Sequence, residues 1–378
     1  MTRRIVVASL EAWDGVWRRN QYLVDGLLDS DPGTRVLFVE PPSDPLHDAL
    51  TGHSPRRGRG SRVGGYDGRL VLHQPTKALP RIAGPLADAL LTRDVVAAVR
   101  RLGWSDGVLW INDPAAVPLV NALGWPVVYD VTDDWVQAER TGRQHSRIAA
   151  ADRMLLELSS EVVVCSPALA STKGASRRVH LIPNAVDVER YRLGVPRPGD
   201  LPDGPVALYV GTLHEDRLDV DLVLRTADAA AASGGSVVLV GPDALGARNR
   251  ERLAAHPGVV ALGAREHDAV PGYLQHANVL LVPHVVTAFT ESLDPIKLYE
   301  YLAVGRPVVS TPVAGFRETK GLTVARSDAF PGAVALDLAE WRPSVEYDDL
   351  PDWRERVAAF GDVIETASGT RTPREGAT

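Results

Sequence analysis

Short aliphatic runs recur along this chain at strand length, with helical stretches between them, in two separate series. The first series is Ile5-Val6-Val7-Ala8-Ser9, Arg35-Val36-Leu37-Phe38-Val39, Leu70-Val71-Leu72, Gly107 to Ile111, Pro126 to Asp130 and Glu161 to Cys165. The second is Val206 to Gly211, Ser236 to Gly241, Val259 to Leu262 and Val279 to Val282. None of these runs alternates apolar with polar residues. Such strands are covered on both faces, which means parallel sheets flanked by helices. The crossovers fall at 21–28, 84–102, 114–123 and 144–160 in the first series, and at 219–232, 246–255 and 268–276 in the second. A Pro/Gly-rich stretch, 194–205, separates the two. The expected class is α/β with two Rossmann-like domains, which suits a length of 378 residues. In open parallel sheets ligands bind beyond the carboxyl ends of the strands, so each motif that follows a strand is a candidate for the site.

Composition narrows the function. Hydrophobic content of 45%, charged content of 24% and a net charge of −7 are those of a globular protein and disfavour a general nucleic-acid binder. The single cysteine, Cys165, excludes an internal disulfide and a cysteine-based zinc site. The chain has no apolar run of membrane-spanning length, and Ile5 to Ala8 is too short for a signal segment, so the expected location is cytoplasmic. Residues 52–69 are Gly- and Arg-rich without periodicity and read as a loop. Its 56–69 part is a candidate for peripheral contact with an anionic membrane surface, a plain flexible loop being the simpler reading. No Walker loop, Gly-x-Ser-x-Gly or Gly-x-Gly-x-x-Gly occurs, which argues against an NTPase, a serine hydrolase and an NAD enzyme. The ten histidines lack metal-ligand spacing, and His214 and His284 read as satisfied polar residues.

The most telling stretch is Asp294-Pro295-Ile296-Lys297-Leu298-Tyr299-Glu300-Tyr301-Leu302-Ala303, followed by Val304-Gly305-Arg306-Pro307-Val308-Val309-Ser310. It reads as a loop, a short helix with Pro295 in its first turn, a Gly305 cap and a buried strand. A helix N-terminus at a strand end is a ready anion site. Lys297 adds a positive charge there, and the chain has only three other lysines, Lys77, Lys173 and Lys320. Glu300, one turn on, can accept the paired hydroxyls of a ribose.

This run resembles the donor signature of GT-B glycosyltransferases of the group 1/group 4-like superfamily. It is most similar to the teichuronic-acid and exopolysaccharide-type members with Pro-x-Lys-x-x-Glu-Tyr-Leu-Ala-x-Gly-x-Pro-Val-Val. The resemblance implies two Rossmann-like domains facing across a cleft, with a C-terminal helix returning to the first domain. The expected layout is 1–190 for acceptor binding, 191–205 as linker, 206–340 for the nucleotide sugar, 341–367 crossing back and 368–378 as a disordered tail. The donor-binding set is Gly211, Thr212, Arg217, Ser292, Leu293, Asp294, Pro295, Ile296, Lys297 and Glu300, with Glu300 on ribose and the cations and amides on diphosphate. Two departures stand out: Thr212 occupies a position where relatives usually have Arg, and Ser292 stands eight residues before Glu300 near where many have a first glutamate, with Glu291 and Asp294 beside it.

In the first domain, Asp130-Val131-Thr132-Asp133-Asp134-Trp135 puts three carboxylates at a strand end, the usual dress of a general base or a helix cap. The pattern resembles the acceptor-facing segment of the subgroup, which makes Asp130, Asp133 and Asp134 the catalytic candidates. Asp130 and Asp133 are favoured over Asp134, and the sequence does not separate the two. Trp13, Asp14, Arg18 and Arg19 follow the first strand and resemble the loop that holds the acceptor; aromatics stack on sugars and Arg pairs with phosphate or carboxylate. Asn112 and Asp113 read as helix caps, and Ile182-Pro183-Asn184-Ala185-Val186-Asp187 as the structural hinge of these enzymes. The implied reaction moves a sugar from a UDP, GDP or dTDP donor to a hydroxyl acceptor (a saccharide, a lipid-linked saccharide or a natural product). It implies no cofactor, and no metal if cations and the helix dipole suffice. A sugar-nucleotide epimerase and a non-catalytic nucleotide-sugar-binding relative are the alternatives.

Overall fold

A computed structural model of the chain describes residues 2–50, 54–79, 84–134, 142–339 and 341–369. They form two compact units. Residues 2–134, 142–183 and 354–369 make the first, and 184–339 with 341–353 the second. Trp135 and most of the 368–378 tail lie outside the described residues.

Among the described residues the first unit is built on an eight-stranded sheet. Its strands are β1 (Arg3–Ala8), β2 (Thr34–Val39), β3 (Gly60–Gly65), β4 (Leu70–Gln74), β5 (Val108–Ile111), β6 (Val127–Val131), β7 (Glu161–Val164) and β8 (His180–Leu181). The spatial order is β3-β4-β2-β1-β5-β6-β7-β8. Without the two edge strands this is the doubly wound order, and the winding reverses between β1 and β5. Both faces are filled: Ile5, Val7, Phe38 and Trp110 are buried, as are Val6, Ala8, Leu37 and Leu109. Burial on both sides is why these strands show no alternation in the sequence. Helix Trp353–Ala367 groups with this unit from residue 354 onward. Its Phe360 ring lies 4.5 Å from Trp110, and Val357 occupies the space that a side chain at Gly26 would need.

Strand β3 departs from the loop expected over 52–69. It pairs antiparallel with β4 at the sheet edge. Gly64 lets the ladder lie close over Leu70 and Leu72, whose side chains a Cβ there would meet at 2.9 and 2.8 Å. Val63 points outward and is exposed. The strand is held by backbone pairing rather than by apolar burial, and so it leaves no hydrophobic pattern. Arg59 and Arg62 in this stretch bind the buried Glu40 at the end of β2, at 3.1 and 2.7 Å. Among the described residues no helix is long and apolar enough to cross a membrane.

The second unit carries β9 (Val206–Val210), β10 (Leu213–His214), β11 (Ser236–Val240), β12 (Asp243–Ala244), β13 (Val259–Gly263), β14 (Val279–Val282), β15 (Val308–Ser310) and β16 (Thr323–Val324). Its main sheet is parallel throughout, in the order β13-β11-β9-β14-β15-β16. This is the same winding, reversing between β9 and β14. Alternate residues of β9 enter separate clusters, Leu208 and Val210 in one and Ala207 and Tyr209 in the other. The stretch expected as a linker packs within this unit, with Tyr191 and Leu201 buried in its core.

Helix Ile296–Val304 begins one residue later than the sequence suggests, with Pro295 as its N-cap, and ends on Gly305 in the left-handed conformation. Gly305 donates its N–H to Tyr301, and a Cβ there would fall 1.9 Å from the Val345 carbonyl oxygen. Gly305→Ala is therefore expected to destabilise the unit by at least ~1–2 kcal/mol from the backbone conformation alone, more once the carbonyl contact is counted. Chemical denaturation of the full chain measures it; an unchanged midpoint would contradict the geometry.

Candidate functional site

The winding reversal of the second sheet brings the donor candidates together. Tyr301 fixes the helix: its hydroxyl accepts from Val210 N–H at 3.1 Å and donates to the Leu281 carbonyl at 3.3 Å, joining the helix to β9 and β14. Leu298 and Leu302 anchor the same helix in the core. Lys297, one turn before Tyr301, is thereby set at the strand ends.

Its ammonium lies among buried groups. Lys297 Nζ is 3.4 Å from His284 Nε2 and 3.9 Å from the centre of the Tyr209 ring. Gly211, with φ of +143°, leaves it room: a Cβ there would be 2.8 Å from Nζ. Tyr209 Oη is 3.2 Å from both the Thr212 carbonyl and His284 Nε2. The loops after β9 and β14 are tied together by Val285 N–H donating to the Arg217 carbonyl. The Arg217 guanidinium stands 5.2 Å from the Phe289 ring. Among the described residues no carboxylate lies within ion-pairing distance of Lys297. Helix Ile296–Val304 has no acidic residue in its first turn and no side-chain cap. Its positive end therefore goes uncompensated from within the first turn.

The electrostatics follow from that crowding. Burial, and then the Arg217 charge, bring Lys297 down to about 7. Burial and the two neighbouring cations hold His284 well below the usual imidazole range. Burial pushes the Glu300 carboxyl up, opposed by the Tyr191 hydroxyl and Lys297. Tyr191 donates to Glu300 Oε1 at 2.5 Å.

The remaining donor candidates play other parts. Asp294 accepts from Asn184 N–H on one oxygen and from Tyr299 Oη at 2.6 Å on the other, and its carbonyl takes the Asn184 amide. It staples the 184 segment to the helix start. The Ser292 hydroxyl donates to Phe289 inside a tight turn, and Leu293 is half-buried. Sequence reasoning passes over Tyr191 and Tyr209, and reads His284 as a satisfied polar residue rather than as a neighbour of Lys297. The position of His284, two residues past a strand end, is the one signal that singles it out.

The first unit gathers its candidates at its own winding reversal, in a different pattern from the one expected. Arg19, read as an acceptor ligand, and Asp130, read as a base, are both buried and bind each other. Arg19 Nε reaches Oδ1 and Oδ2 at 3.2 and 3.1 Å, and Nη2 reaches Oδ1 at 3.1 Å. Beside them Asn112 accepts from Asn20 at 2.8 Å and donates to the Asp130 carbonyl at 3.1 Å, bridging β5 and β6. Asp134 is also buried and lies 3.4 Å from Lys173, which binds Asp152 at 2.8 Å. Asp133 is half-buried, and Asp113 caps the turn that follows β5. The 13–18 loop closes on itself: Asp14 accepts from Val16 N–H at 2.9 Å and Arg18 at 3.3 Å. Trp13 packs edge-on to Phe38 at 5.1 Å, and its N–H donates to Glu40 at 3.1 Å.

Residues 204–339 match the family described as Glycosyl transferases group 1. The match lies within the second unit. A Bacillus subtilis (strain 168) protein named for teichuronic acid biosynthesis, a glycosyltransferase, is 24% identical over 218 residues. That match takes in 54% of this chain and 55% of the relative, so the chain spans about half the length of the curated relative it matches. Solved structures agree in fold. A UDP-forming α,α-trehalose-phosphate synthase from Burkholderia vietnamiensis superposes with a TM-score of 0.65 at 13% identity, over 98% of this chain and 100% of that one. A sucrose-phosphate synthase from Thermosynechococcus elongatus gives 0.61 at 19% identity, over 97% and 98%. Anabaena HepE in complex with UDP gives 0.56 at 16%, over 98% of each chain. The fold of the chain is the GT-B fold of two Rossmann-like domains.

Proposed function

We propose that the chain transfers a sugar from a nucleoside diphosphate donor to a hydroxyl acceptor. The observation that carries this is the half-buried Lys297 ammonium, set beside Arg217 at a helix N-terminus with no acidic residue in its first turn, and with no carboxylate counter-ion among the described residues. Such a site wants a compact dianion. The diphosphate would lie against Lys297, Arg217 and the Ile296 and Lys297 amides, close to the backbone at Gly211 and Thr212. Glu300, oriented by Tyr191, would accept from the ribose hydroxyls. These cations would stabilise the charge that builds on the departing diphosphate, the main electrostatic demand of glycosyl transfer. The family match over 204–339 and the UDP bound to a structural neighbour support this reading. On the acceptor side, Asp133, half-buried at the end of β6, would orient or deprotonate the hydroxyl, with Trp13, Asp14 and Arg18 on the neighbouring loop.

A thermal-shift series with UDP, GDP and dTDP tests the donor assignment. A ligand at about a hundred times its Kd adds about 2.7 kcal/mol to the native state, or roughly 5–10 °C for a unit of this size. One of the three is expected to do so, with the free nucleoside giving no shift. If none of them moves the midpoint, the proposal fails.

A further inference from the structure

We propose that the nucleoside diphosphate enters this site together with one proton, which the Lys297 amine takes up from solvent. This rests on the diphosphate reading above and says how the site is charged before and after binding.

The geometry makes the case. Among the described residues, the groups that face Lys297 Nζ are the His284 ring from the loop after β14 and the Tyr209 ring from β9. The charged groups that act on it are Arg217, from the loop after β9, and Glu300, one turn along its own helix. His284 is buried, and burial with two cations nearby keeps its imidazole neutral. Burial pushes the Glu300 carboxyl up, and the Tyr191 hydroxyl holds one of its oxygens. Without a ligand, then, an amine sits beside a guanidinium and a neutral ring, with no carboxylate in contact among the described residues. The cheaper state is to shed the proton, which is why the amine titrates at about 7.

A bound diphosphate reverses this. Its oxygens bring negative charge to the amine, and opposite charge at contact distance favours the ammonium. Above pH 7 the Nζ lone pair then takes a proton from the buffer; no other bond forms or breaks. The sign is fixed by linkage. Binding requires the ammonium, so affinity falls as pH rises past the free-state titration, by up to about tenfold per pH unit. Below pH 7 the amine is already charged, and this dependence disappears.

The chain's four lysines make the proton visible directly. With 13C-labelled lysine, the Cε signal of each residue reports whether its amine is charged. Lys297→Arg removes one signal and so assigns it; Lys77→Arg, Lys173→Arg and Lys320→Arg assign the other three should that variant fail to fold. In the free protein the Lys297 signal is expected to titrate with a midpoint of about 7. Saturating UDP, GDP or dTDP at pH 8 should move it to the ammonium position. A signal already at the ammonium position in the free protein at pH 8 would overturn the inference and leave the diphosphate site standing. So would a ligand that shifts other signals and leaves Lys297 as a neutral amine. If none of the three nucleotides perturbs any signal, the diphosphate reading itself falls, and this inference with it.

Discussion

Lys297→Met is expected to weaken nucleoside diphosphate binding by about 2 kcal/mol, roughly 30-fold, and to cut sugar transfer further, while leaving thermal stability unchanged or slightly raised. The two halves of this expectation come from the same contacts. A charge-assisted hydrogen bond to phosphate is among the stronger single interactions a site offers. The lost cation would also have stabilised the leaving diphosphate, so turnover falls by more than affinity does. For the ligand-free protein the same amine is a liability, whether it keeps its charge or gives up its proton. It lies near Arg217 and against His284, without a counter-ion among the described residues. Met keeps the stem that packs against Tyr209 and drops the charge. Calorimetry with the nucleotide that raises the midpoint gives the affinity, and a melting curve gives the stability. A lysine with a merely structural role would give the reverse: a lower midpoint with binding intact.

How much of this was open to sequence reasoning depends on the range of the interaction. The strands are legible because burial on both faces writes itself as a continuous aliphatic run. The 296–304 helix is legible because Leu298, Leu302 and Gly305 mark its core face and its end within one short stretch. Lys297 and Glu300 follow from their place on that helix. What lies across the fold is not legible. Tyr191 is 109 residues from the Glu300 it orients. His284 carries no distinguishing neighbour in the chain, and only the junction of β9 with β14 sets it against Lys297. Strand β3 escapes for a different reason, since it is held by backbone pairing over glycine and has no apolar pattern to show.

The first unit gives the sharpest case, because Arg19 and Asp130 are each conspicuous in the sequence but for separate jobs. They lie 111 residues apart and meet in a buried pair with both carboxylate oxygens engaged. Asp130→Ala is expected to lower stability by about 3–5 kcal/mol, since it leaves a buried guanidinium without its partner. That corresponds to a fall of roughly 10 °C in the midpoint of the first unit. Arg19→Ala should do the same. Arg19→Met with Asp130→Leu should cost less than either single change, because replacing both partners leaves no stranded charge. Asp133→Asn makes the contrast. Its carboxylate is half-buried, so its loss should leave the melting curve in place and act on acceptor transfer. The pair of experiments separates two roles that the shared strand end makes easy to confuse. Were Asp130 the group that takes the acceptor's proton, Asp130→Asn would abolish transfer with the midpoint unmoved, and Asp133→Asn would leave turnover intact. The buried bidentate pairing argues for the opposite result in both.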